Sequence, residues 1–401
     1  MRKLNKQILL DSGKAFNFAL AIVQTISDKG FIAYIVGGGV RDVLIGIVPD
    51  EVDIATNAPR ELVTQLYPDA RPIFPDKYGT MQIADDDRVV EIARMRKDIL
   101  PLGRQTEIEF TDEIDEDLRR RDFTVNAIAV MPDLSVIDRF GGFIDLFNGT
   151  IRAIGEPEIR FREDNLRILR AVRFAAQLDF DIEVKTAEAV RKCASMVESL
   201  SPGWLWREFR KGFRNAGRFR QLIVKYGIYN YMLNDHFNYS GYHIAIHGII
   251  QSITNNIAVR WIFFFYDNPR GFAGRMKSVC NRIEFPHDLR RDILDIANII
   301  EKIPLFFELN SQDKVKILDS PFFSDLSRAA KLFDEFKPII EKLRLEFPAL
   351  KTPSIITGND IKEILTDDNR IGNILAKIRL AQFRGDIVNK KEALELANKI
   401  R

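Results

Sequence analysis

A glycine run near residue 40 has residue types that could bind an anion. Gly37, Gly38 and Gly39 follow a strand-like segment, and Arg41 lies in the helical segment that comes next. Glycines let the backbone approach an anion closely, and the free N–H groups at a helix start attract negative charge. The pattern predicts a phosphate-binding turn that includes Arg41. An ordinary glycine turn between a strand and a helix is the alternative.

Three acidic residues after this turn could bind metal ions. Glu51 and Asp53 are two residues apart in a strand-like run, so their side chains share a face about 7 Å apart along the chain. Glu91 lies between Val90 and Ile92 in another run, where it would face away from both apolar neighbours. Mg²⁺ prefers oxygen ligands, and two such ions support phosphoryl transfer. The alternatives are ordinary charges on an exposed edge strand and the solvated face of a hairpin.

A third pattern lies in a helical run after residue 160. Asp164, Arg167, Arg170 and Arg173 recur at every third position, and each step falls about 60° short of a full turn. The result is a slanted polar stripe, called the arginine stripe below. A carboxylate accepts and a guanidinium donates hydrogen bonds, which matches the amino group and ring nitrogen of cytosine and of adenine. The alternative is the charged face of an amphipathic helix.

The elements that must position these residues divide the chain near residue 150. Before that point, short strand-like runs alternate with helical ones; afterwards apolar residues recur at helical spacing and no further strands are expected. The prediction is an α+β fold with a small mixed sheet followed by helices. The predicted strands are 32–36, 52–56, 81–84, 88–95, 106–110, 123–130 and 135–140.

The composition is that of a globular protein. The 401 residues are 29% charged and 46% hydrophobic with a net charge of +2, which excludes a disordered chain and a disulfide-stapled miniprotein. Any nucleic-acid surface must therefore be local. Residues 204–220 carry six Lys and Arg against one acid, Glu208, with aromatic residues between them. This segment suits a phosphate backbone, although its basic residues are equally typical of the solvated side of a helix.

Other features predict a soluble, cytoplasmic protein without a structural metal. Cys193 and Cys280 lie far apart and are expected in the core, and the N-terminal residues lack the apolar segment of a signal peptide. The apolar run 261–266 is too short to span a membrane. His243 and His247 are four residues apart, but no adjacent glutamate or third ligand favours zinc.

Four motifs in order resemble one known family. They are GGGVRD (37–42) with the paired acids after it, EIARMRKD (91–98), DLRRRDFTVNAIAV (117–130) and RFREDNLRILRAVRFAAQL (160–178). Together they resemble the class II tRNA nucleotidyltransferases and bacterial poly(A) polymerases, members of the polymerase-beta-like superfamily. The resemblance covers residues 30–185 and returns from residue 356, where the chain is similar to the tail of bacterial members.

The resemblance implies roles for the residues that match its motifs. It implies that Gly38 and Arg41 bind the triphosphate, that Arg121 contacts the nucleotide, and that Glu51 and Asp53 hold Mg²⁺. Glu91 would complete the catalytic carboxylates.

For the arginine stripe, the resemblance implies that Asp164 and Arg167 form a protein template selecting CTP and ATP. Arg170 and Arg173 would lie near the nucleotide.

The chain departs from the family pattern at several positions. Glu51 stands where aspartate is usual, Ile47 where arginine is usual, and Ala93 and Arg94 where small hydroxyl residues are usual. Glutamate keeps the charge but lengthens the side chain by one methylene, which puts the reaction rate in doubt. A non-catalytic RNA-binding descendant is therefore an alternative.

The implied activity is template-independent addition of C, C and A to the 3′ end of tRNA from CTP and ATP. Pyrophosphate would leave, and no membrane is involved. A poly(A) polymerase and an enzyme adding part of CCA are the rivals. Residues 74–83 resemble the tRNA branch more than the poly(A) branch, and residues 96–110 keep the length of the loop that full CCA-adding enzymes use to switch from C to A.

The predicted domains are a catalytic head (1–150), a helical neck (151–215) that recognises the base, a helical body (216–345) that binds tRNA, and a helical tail (346–401).

Overall fold

A computed structural model describes residues 2–4, 12–73, 78–85, 88–100, 107–233, 249–362, 364 and 368–400. The chain divides into two compact units, Met1–Met232 and Leu233–Arg401. The first unit contains every strand described, together with all the residues predicted to do chemistry. The division into head, neck, body and tail stays a prediction.

The first unit is built on one mixed sheet of eight strands in the order β1-β10-β9-β2-β3-β6-β5-β4. β3 and β6 pair in parallel, and the other neighbouring pairs are antiparallel. The strands in this sheet are β1 (Arg2–Lys3), β2 (Ala33–Val36), β3 (Glu51–Thr56), β4 (Arg71–Pro72), β5 (Met81–Asp85), β6 (Arg88–Arg94), β9 (Ile128–Val130) and β10 (Ser135–Asp138). β7 (Arg96–Leu100) and β8 (Glu107–Phe110) form a separate antiparallel pair.

Alternating side chains explain why β3 and β6 occupy the centre of this sheet. Val52 and Ile54 in β3 are buried, as are Val90 and Ile92 in β6, and the residues between them face the other side. A strand with this period of two buries one face and offers the opposite face for other uses. The expected α+β class is confirmed, since a mixed-sheet region precedes a helical one.

Helices cover this unit and continue after the sheet. α1 packs against β2, β3 and β6, and helices from residue 157 onward follow the last strand of the large sheet. They are α1 (Gly13–Asp28), α2 (Gly38–Leu44), α3 (Arg60–Leu66), α4 (Ile114–Arg119), α5 (Gly142–Phe147), α6 (Pro157–Glu163), α7 (Leu166–Leu178), α8 (Val184–Lys192), α9 (Pro202–Gly212), α10 (Ala216–Lys225) and α11 (Ile228–Leu233).

Three expectations about local structure need correction. The predicted strand 123–130 begins as a 3₁₀ turn, Thr124–Asn126, and only Ile128–Val130 is extended. Strands do return after residue 149, because β11 (Thr150–Ile151) and β12 (Asp181–Ile182) form a short parallel pair.

The third correction concerns the helical run after residue 160. It is two helices, because Asp164 ends α6 with an extended backbone and α7 starts at Leu166.

The second unit is helical throughout its described residues. Aromatic side chains of α12 and its neighbours form much of its core, including stacked rings of Phe263 and Phe333 and an edge contact of Tyr266 with Phe272. Its helices include α12 (Ile257–Phe265), α13 (Phe272–Arg282), α14 (His287–Lys302), α15 (Ser311–Leu318), α16 (Phe323–Ala330), α17 (Lys337–Glu346), α18 (Gly358–Lys362), α19 (Asp368–Arg384) and α20 (Lys390–Ile400).

Several remaining expectations can be compared with the structure. Cys193 and Cys280 are buried, as expected. Within the described part of the chain, no helix combines the length and apolarity that crossing a lipid bilayer requires. His243 and His247 lie outside the described residues, as do parts of the segments 74–83 and 96–110 that favour CCA addition.

Candidate active site

Three carboxylates meet on one face of the two central strands. Asp53 of β3 and Glu91 of β6 are register partners, so their side chains leave the same face of the sheet. Glu51 is two residues before Asp53 and joins them. One ligand oxygen from each of the three residues lies within 4.8 Å of the others. The spacing predicted from the sequence therefore brings Glu51, Asp53 and Glu91 together, and this group is called the carboxylate triad.

The proximity of these acids changes their affinity for protons. Burial raises the pKa of Glu91 to about 8, helped by a hydrogen bond with Glu51 and the negative charges of Glu51 and Asp53. Burial also raises the pKa of Asp53, and the Arg121 guanidinium opposes part of this rise. Like charges held this close disfavour one another's ionised form. The carboxylate triad therefore favours a bound cation that would relieve the repulsion.

The glycine turn lies directly against this triad. Gly37 ends the turn from β2 with φ of 76°, a conformation that favours glycine. A Cβ added at Gly37 would lie 2.6 Å from Oδ2 of Asp53 and 3.1 Å from Nη1 of Arg121. A hydrogen atom is thus the only substituent for which there is room. The absence of a side chain at Gly37 lets the turn, Asp53 and Arg121 lie together.

Arg121 is held beside the triad by a buried acid. Its Nη2 donates to Oδ2 of Asp117 at 3.1 Å, and Arg120 donates to the other oxygen of Asp117 at 2.6 Å. Burial alone would raise the pKa of Asp117, but the charges of Arg120 and Arg121 outweigh it and lower that pKa. Asp117 is therefore ionised and fixes both guanidiniums.

Arg41 points from α2 into a buried polar network. Its Nε and Nη2 donate to Oδ1 of Asp42 at 2.8 and 2.6 Å, and its Nη1 donates to Oδ1 of Asn126 at 2.8 Å. Asn126 donates in turn to Asp122 at 3.1 Å, and Arg170 donates to the other oxygen of Asp122 at 2.6 Å. The network connects the predicted phosphate arginine to the arginine stripe.

Asp122 carries the negative charge of this network. Burial would raise its pKa, but the charge of Arg170 and hydrogen bonds from Asn126 and the Phe123 N–H hold that pKa far below its usual range. Asp122 is ionised at neutral pH as a result.

Phe174 of α7 organises the same region. The guanidinium carbons of Arg41, Arg170 and Arg173 lie 5.2, 5.1 and 3.8 Å from its ring centroid. An aromatic face attracts cations, so one ring helps to hold three arginines near one another. Its edge contact with Phe123 fixes the ring in turn.

Asp164 and Arg167 lie at the start of α7 and do not pair with each other. Asp164 precedes α7 and its carboxylate accepts from the Leu166 N–H at 3.0 Å. Among the described residues, that carboxylate makes no ion pair within 4.0 Å. Arg167 donates to Oε2 of Glu163 at 2.9 Å and to the Arg120 carbonyl at 3.0 Å. Arg160 donates to the Arg120 carbonyl as well, at 2.7 Å.

Arg173 at the far end of the stripe forms a buried ion pair. Its Nε donates to Oε2 of Glu208 in α9, and the two side chains are 4% and 3% exposed. Nη1 also donates to Gln177 at 2.5 Å. Glu208, the single acid in the basic segment 204–220, is therefore turned inward to join α9 to α7.

The sequence reasoning missed four residues that support the site. Asn126 and Asp122 lie in the motif DLRRRDFTVNAIAV, where Asp122 follows three arginines and Asn126 is a polar residue among apolar ones. Glu163 lies four residues before Arg167, a spacing that predicts a helical ion pair. Phe174 gives no signal in the sequence that separates it from other core aromatics.

Comparison with known proteins identifies relatives along the whole chain. Residues 33–152 match the family model described as the poly A polymerase head domain. The CCA-adding enzyme of Leuconostoc mesenteroides is 30% identical over 397 residues, covering 94% of this chain and 94% of that protein.

Solved structures agree with this. The chain resembles the Bacillus stearothermophilus CCA-adding enzyme, solved in complex with CTP, with a TM-score of 0.72 and 27% identity over 96% of this chain and 98% of the other. A Thermotoga maritima CCA-adding enzyme complexed with tRNA has the same fold, with a TM-score of 0.73 and 22% identity over 100% and 99% of the two chains.

Proposed function

Because the chain belongs to the family of CCA-adding enzymes, which are tRNA nucleotidyltransferases, we propose that it adds C, C and A in turn to the 3′ end of tRNA. The substrates are CTP and ATP, and no nucleic-acid template is used. The primer 3′-hydroxyl attacks the α-phosphorus in line, and pyrophosphate leaves from the opposite side.

One observation carries this proposal beyond family membership. The carboxylate triad, the glycine turn and Arg121 lie together on one face of the sheet, with Asp53 close to both the turn and Arg121. Nucleotidyl transfer needs carboxylates that hold metal ions beside the reacting phosphate and cationic groups on the triphosphate. A decayed site would have no reason to keep this combination.

The triad fits Mg²⁺ as cofactor. It supplies only carboxylate oxygens, the ligand type that Mg²⁺ prefers, and their mutual repulsion favours a cation. Glu51 and Asp53 would hold the metal, and Glu91 would complete the site. Two bound Mg²⁺ ions would promote deprotonation of the primer hydroxyl and neutralise the departing pyrophosphate.

Arg41, Gly38 and Arg121 bind the triphosphate in this proposal. A guanidinium has five N–H donors, and the described contacts of Arg41 use three of them. Two donors remain for phosphate oxygens. Asp42 and Asn126 hold the group in place before the substrate arrives, which reduces the entropy lost on binding.

The neck selects the base. Asp164 would accept from the amino group and Arg167 would donate to the ring nitrogen that cytosine and adenine share. The Asp164 carboxylate makes no ion pair among the described residues, so it is available to a base. Arg167 is positioned by Glu163, and Arg170 and Arg173 lie beside it on the stripe. The helical body (216–345) would bind the tRNA.

The test is incubation with Mg²⁺ and both CTP and ATP, one of them labelled. Three tRNAs are compared, which end before CCA, after CC and after CCA. We expect extension of the first two to CCA and no further addition. Long adenylate tails would instead identify a poly(A) polymerase, and extension of one tRNA alone a partial enzyme. Binding of tRNA without any incorporation would identify the non-catalytic descendant.

A further inference from the structure

Helix α9 presents a cationic face that the proposed reaction has not used. Its one acid, Glu208, is buried against Arg173. Arg207, Arg210 and Lys211 are exposed on the outer side. With the acid removed from this surface, nothing in α9 neutralises the three cations.

This cationic face of α9 lies near the strands that carry the carboxylate triad. The Arg173–Glu208 pair joins α9 to α7, and Nε2 of Gln177 donates to the Lys211 carbonyl at 3.0 Å. Just beyond the helix, Nη2 of Arg214 lies 3.7 Å from Oδ2 of Asp50, the residue that precedes β3. α9 is thus joined to α7, and the segment just after it lies beside the start of the strand that carries Glu51 and Asp53.

The charges of α9 reach the carboxylate triad without pairing with it. Arg207 acts to lower the pKa of Glu91, and Lys211 acts to lower that of Asp53. Yet among the described residues no ion pair within 4.0 Å joins either cation to the triad. Their positive charges are therefore available to an anion bound beside the triad.

The order of strands indicates which substrate these cations meet. The glycine turn and Arg41 follow β2, on one side of β3, whereas Glu91 belongs to β6 on the other side. In an in-line transfer the nucleophile and the leaving group lie on opposite sides of the phosphorus. A triphosphate bound on the β2 side therefore places the primer on the β6 side, the side of Glu91.

We propose that Arg207 and Lys211, on the outer face of α9, bind the phosphodiester backbone of the 3′-terminal nucleotides of the acceptor RNA. The proposal rests on the proposed function and adds a primer-binding surface to it. Phosphate contacts fix the position of a nucleic acid without reading its sequence. This suits an acceptor whose last nucleotides change from one addition to the next.

The test compares Arg207→Ala, Lys211→Ala and the double variant with the wild-type protein. Steady-state kinetics are measured with the acceptor (tRNA lacking CCA) and CTP varied separately, at several salt concentrations. We expect the double variant to raise KM for the acceptor about 10-fold or more, on the scale of charged hydrogen bonds. KM for CTP should stay within about 2-fold, and each lost contact should reduce the salt dependence of acceptor binding by about 0.7 in log–log slope.

Lys185→Ala is the matched control for each single variant, because Lys185 is an exposed lysine of α8 and its loss also removes one positive charge. Arg207→Lys should recover most of the acceptor affinity lost in Arg207→Ala. An increase in KM for CTP with unchanged KM for the acceptor would overturn the proposal and assign the cations to the triphosphate. Unchanged values for both substrates would overturn it as well.

A direct binding measurement separates this proposal from the proposed function. Fluorescence anisotropy reports the affinity for a labelled acceptor-stem minihelix without any turnover. If the wild-type protein incorporated no nucleotide, the proposed function would fail, but weaker minihelix binding by the double variant would still support the surface. Minihelix affinities of Arg207→Ala and of Lys211→Ala equal to that of the Lys185→Ala control would refute it.

Discussion

The carboxylate triad and the arginine stripe were both predicted from regular spacing, but they differ in how the structure realises them. The triad comes together as the period of a strand requires, with Asp53 and Glu91 in register. The stripe does not lie on one helix, because Asp164 falls in a break before α7. The arginines of the stripe bind residues outside the stripe, such as Glu208 for Arg173.

The difference reflects the length of the side chains. Aspartate and glutamate have short side chains, so the direction of the Cα–Cβ bond nearly determines where the carboxylate oxygens lie. An arginine has a long flexible arm, and its guanidinium goes to whichever acid, carbonyl or aromatic face is nearest. Spacing therefore predicts the location of short acidic side chains far better than it predicts the contacts of arginines.

The largest effect is expected in the triad. Asp53→Ala should reduce nucleotide addition by roughly 10³-fold or more while tRNA binding is largely kept, since the change removes a metal ligand and no phosphate-binding cation. The measurement is single-turnover incorporation of CMP, with acceptor binding measured separately.

Position 51 supplies the companion test for the triad. Glu51→Asp should preserve or raise activity, because aspartate is the residue usual in the family. A wild-type rate for Glu51→Ala in Mg²⁺ would show that the assignment of a metal ligand at this position is wrong.

The next effect concerns the base. Asp164→Ala with Arg167→Ala should reduce discrimination against UTP and GTP by at least about 100-fold, because polar groups left unpaired by a wrong base would no longer penalise it. Arg167→Asp should partly invert the preference, since a carboxylate would accept from the ring N–H of uracil or guanine.

Single-nucleotide addition with each of the four triphosphates measures this selectivity. Glu163→Gln is the control, because it weakens the contact that positions Arg167 but leaves the charge of Arg167 unchanged. Unchanged selectivity in a folded double variant would leave the stripe with a structural role only.

A steric test of the triad follows from Gly37. Gly37→Ala places a methyl group where Oδ2 of Asp53 lies, so we expect a loss of about 100-fold in kcat, the scale for misplacing a reacting group by 1 Å. Gly30→Ala is the matched control, with φ of 85° and open space around its Cα. Equal losses of activity in the two variants would attribute the effect to backbone strain.

The smallest effect on chemistry is expected from Arg173. Arg173→Ala leaves the Glu208 carboxylate buried without its partner, which should destabilise the protein by about 3–5 kcal/mol. Arg173→Met with Glu208→Leu should recover most of that stability in urea unfolding. If the double variant were stable but bound CTP at least about 10-fold more weakly, Arg173 would have the nucleotide contact that the resemblance implies.

The sequence predicted the α+β class and the meeting of Glu51, Asp53 and Glu91, because alternation and register follow from local residues. It did not predict that the run 123–130 begins as a 3₁₀ turn or that α6 and α7 are separate helices. Asp164 and Asn165 sit at the break, and the Asp164 side chain bonds to the backbone two residues later. Such local bonds compete with a helix without changing the apolar period that predicts one.

The contacts around Arg41 were beyond prediction for another reason. Asn126 and Asp122 are more than 80 residues away in the sequence, and only the packing of α2 and α7 near the 3₁₀ turn makes them neighbours. A pattern of short range carries no information on partners this remote.

The carbonyl of Arg120 accepts hydrogen bonds from Arg160 of α6 and Arg167 of α7. This carbonyl belongs to the peptide that leads directly into Arg121, whose guanidinium lies beside Asp53. These hydrogen bonds therefore couple the position of Arg167 to that of Arg121. A base that draws Arg167 out of position must either break a bond to this peptide or move the peptide and Arg121 with it. A mismatched nucleotide would then be rejected by slow turnover as well as by weak binding.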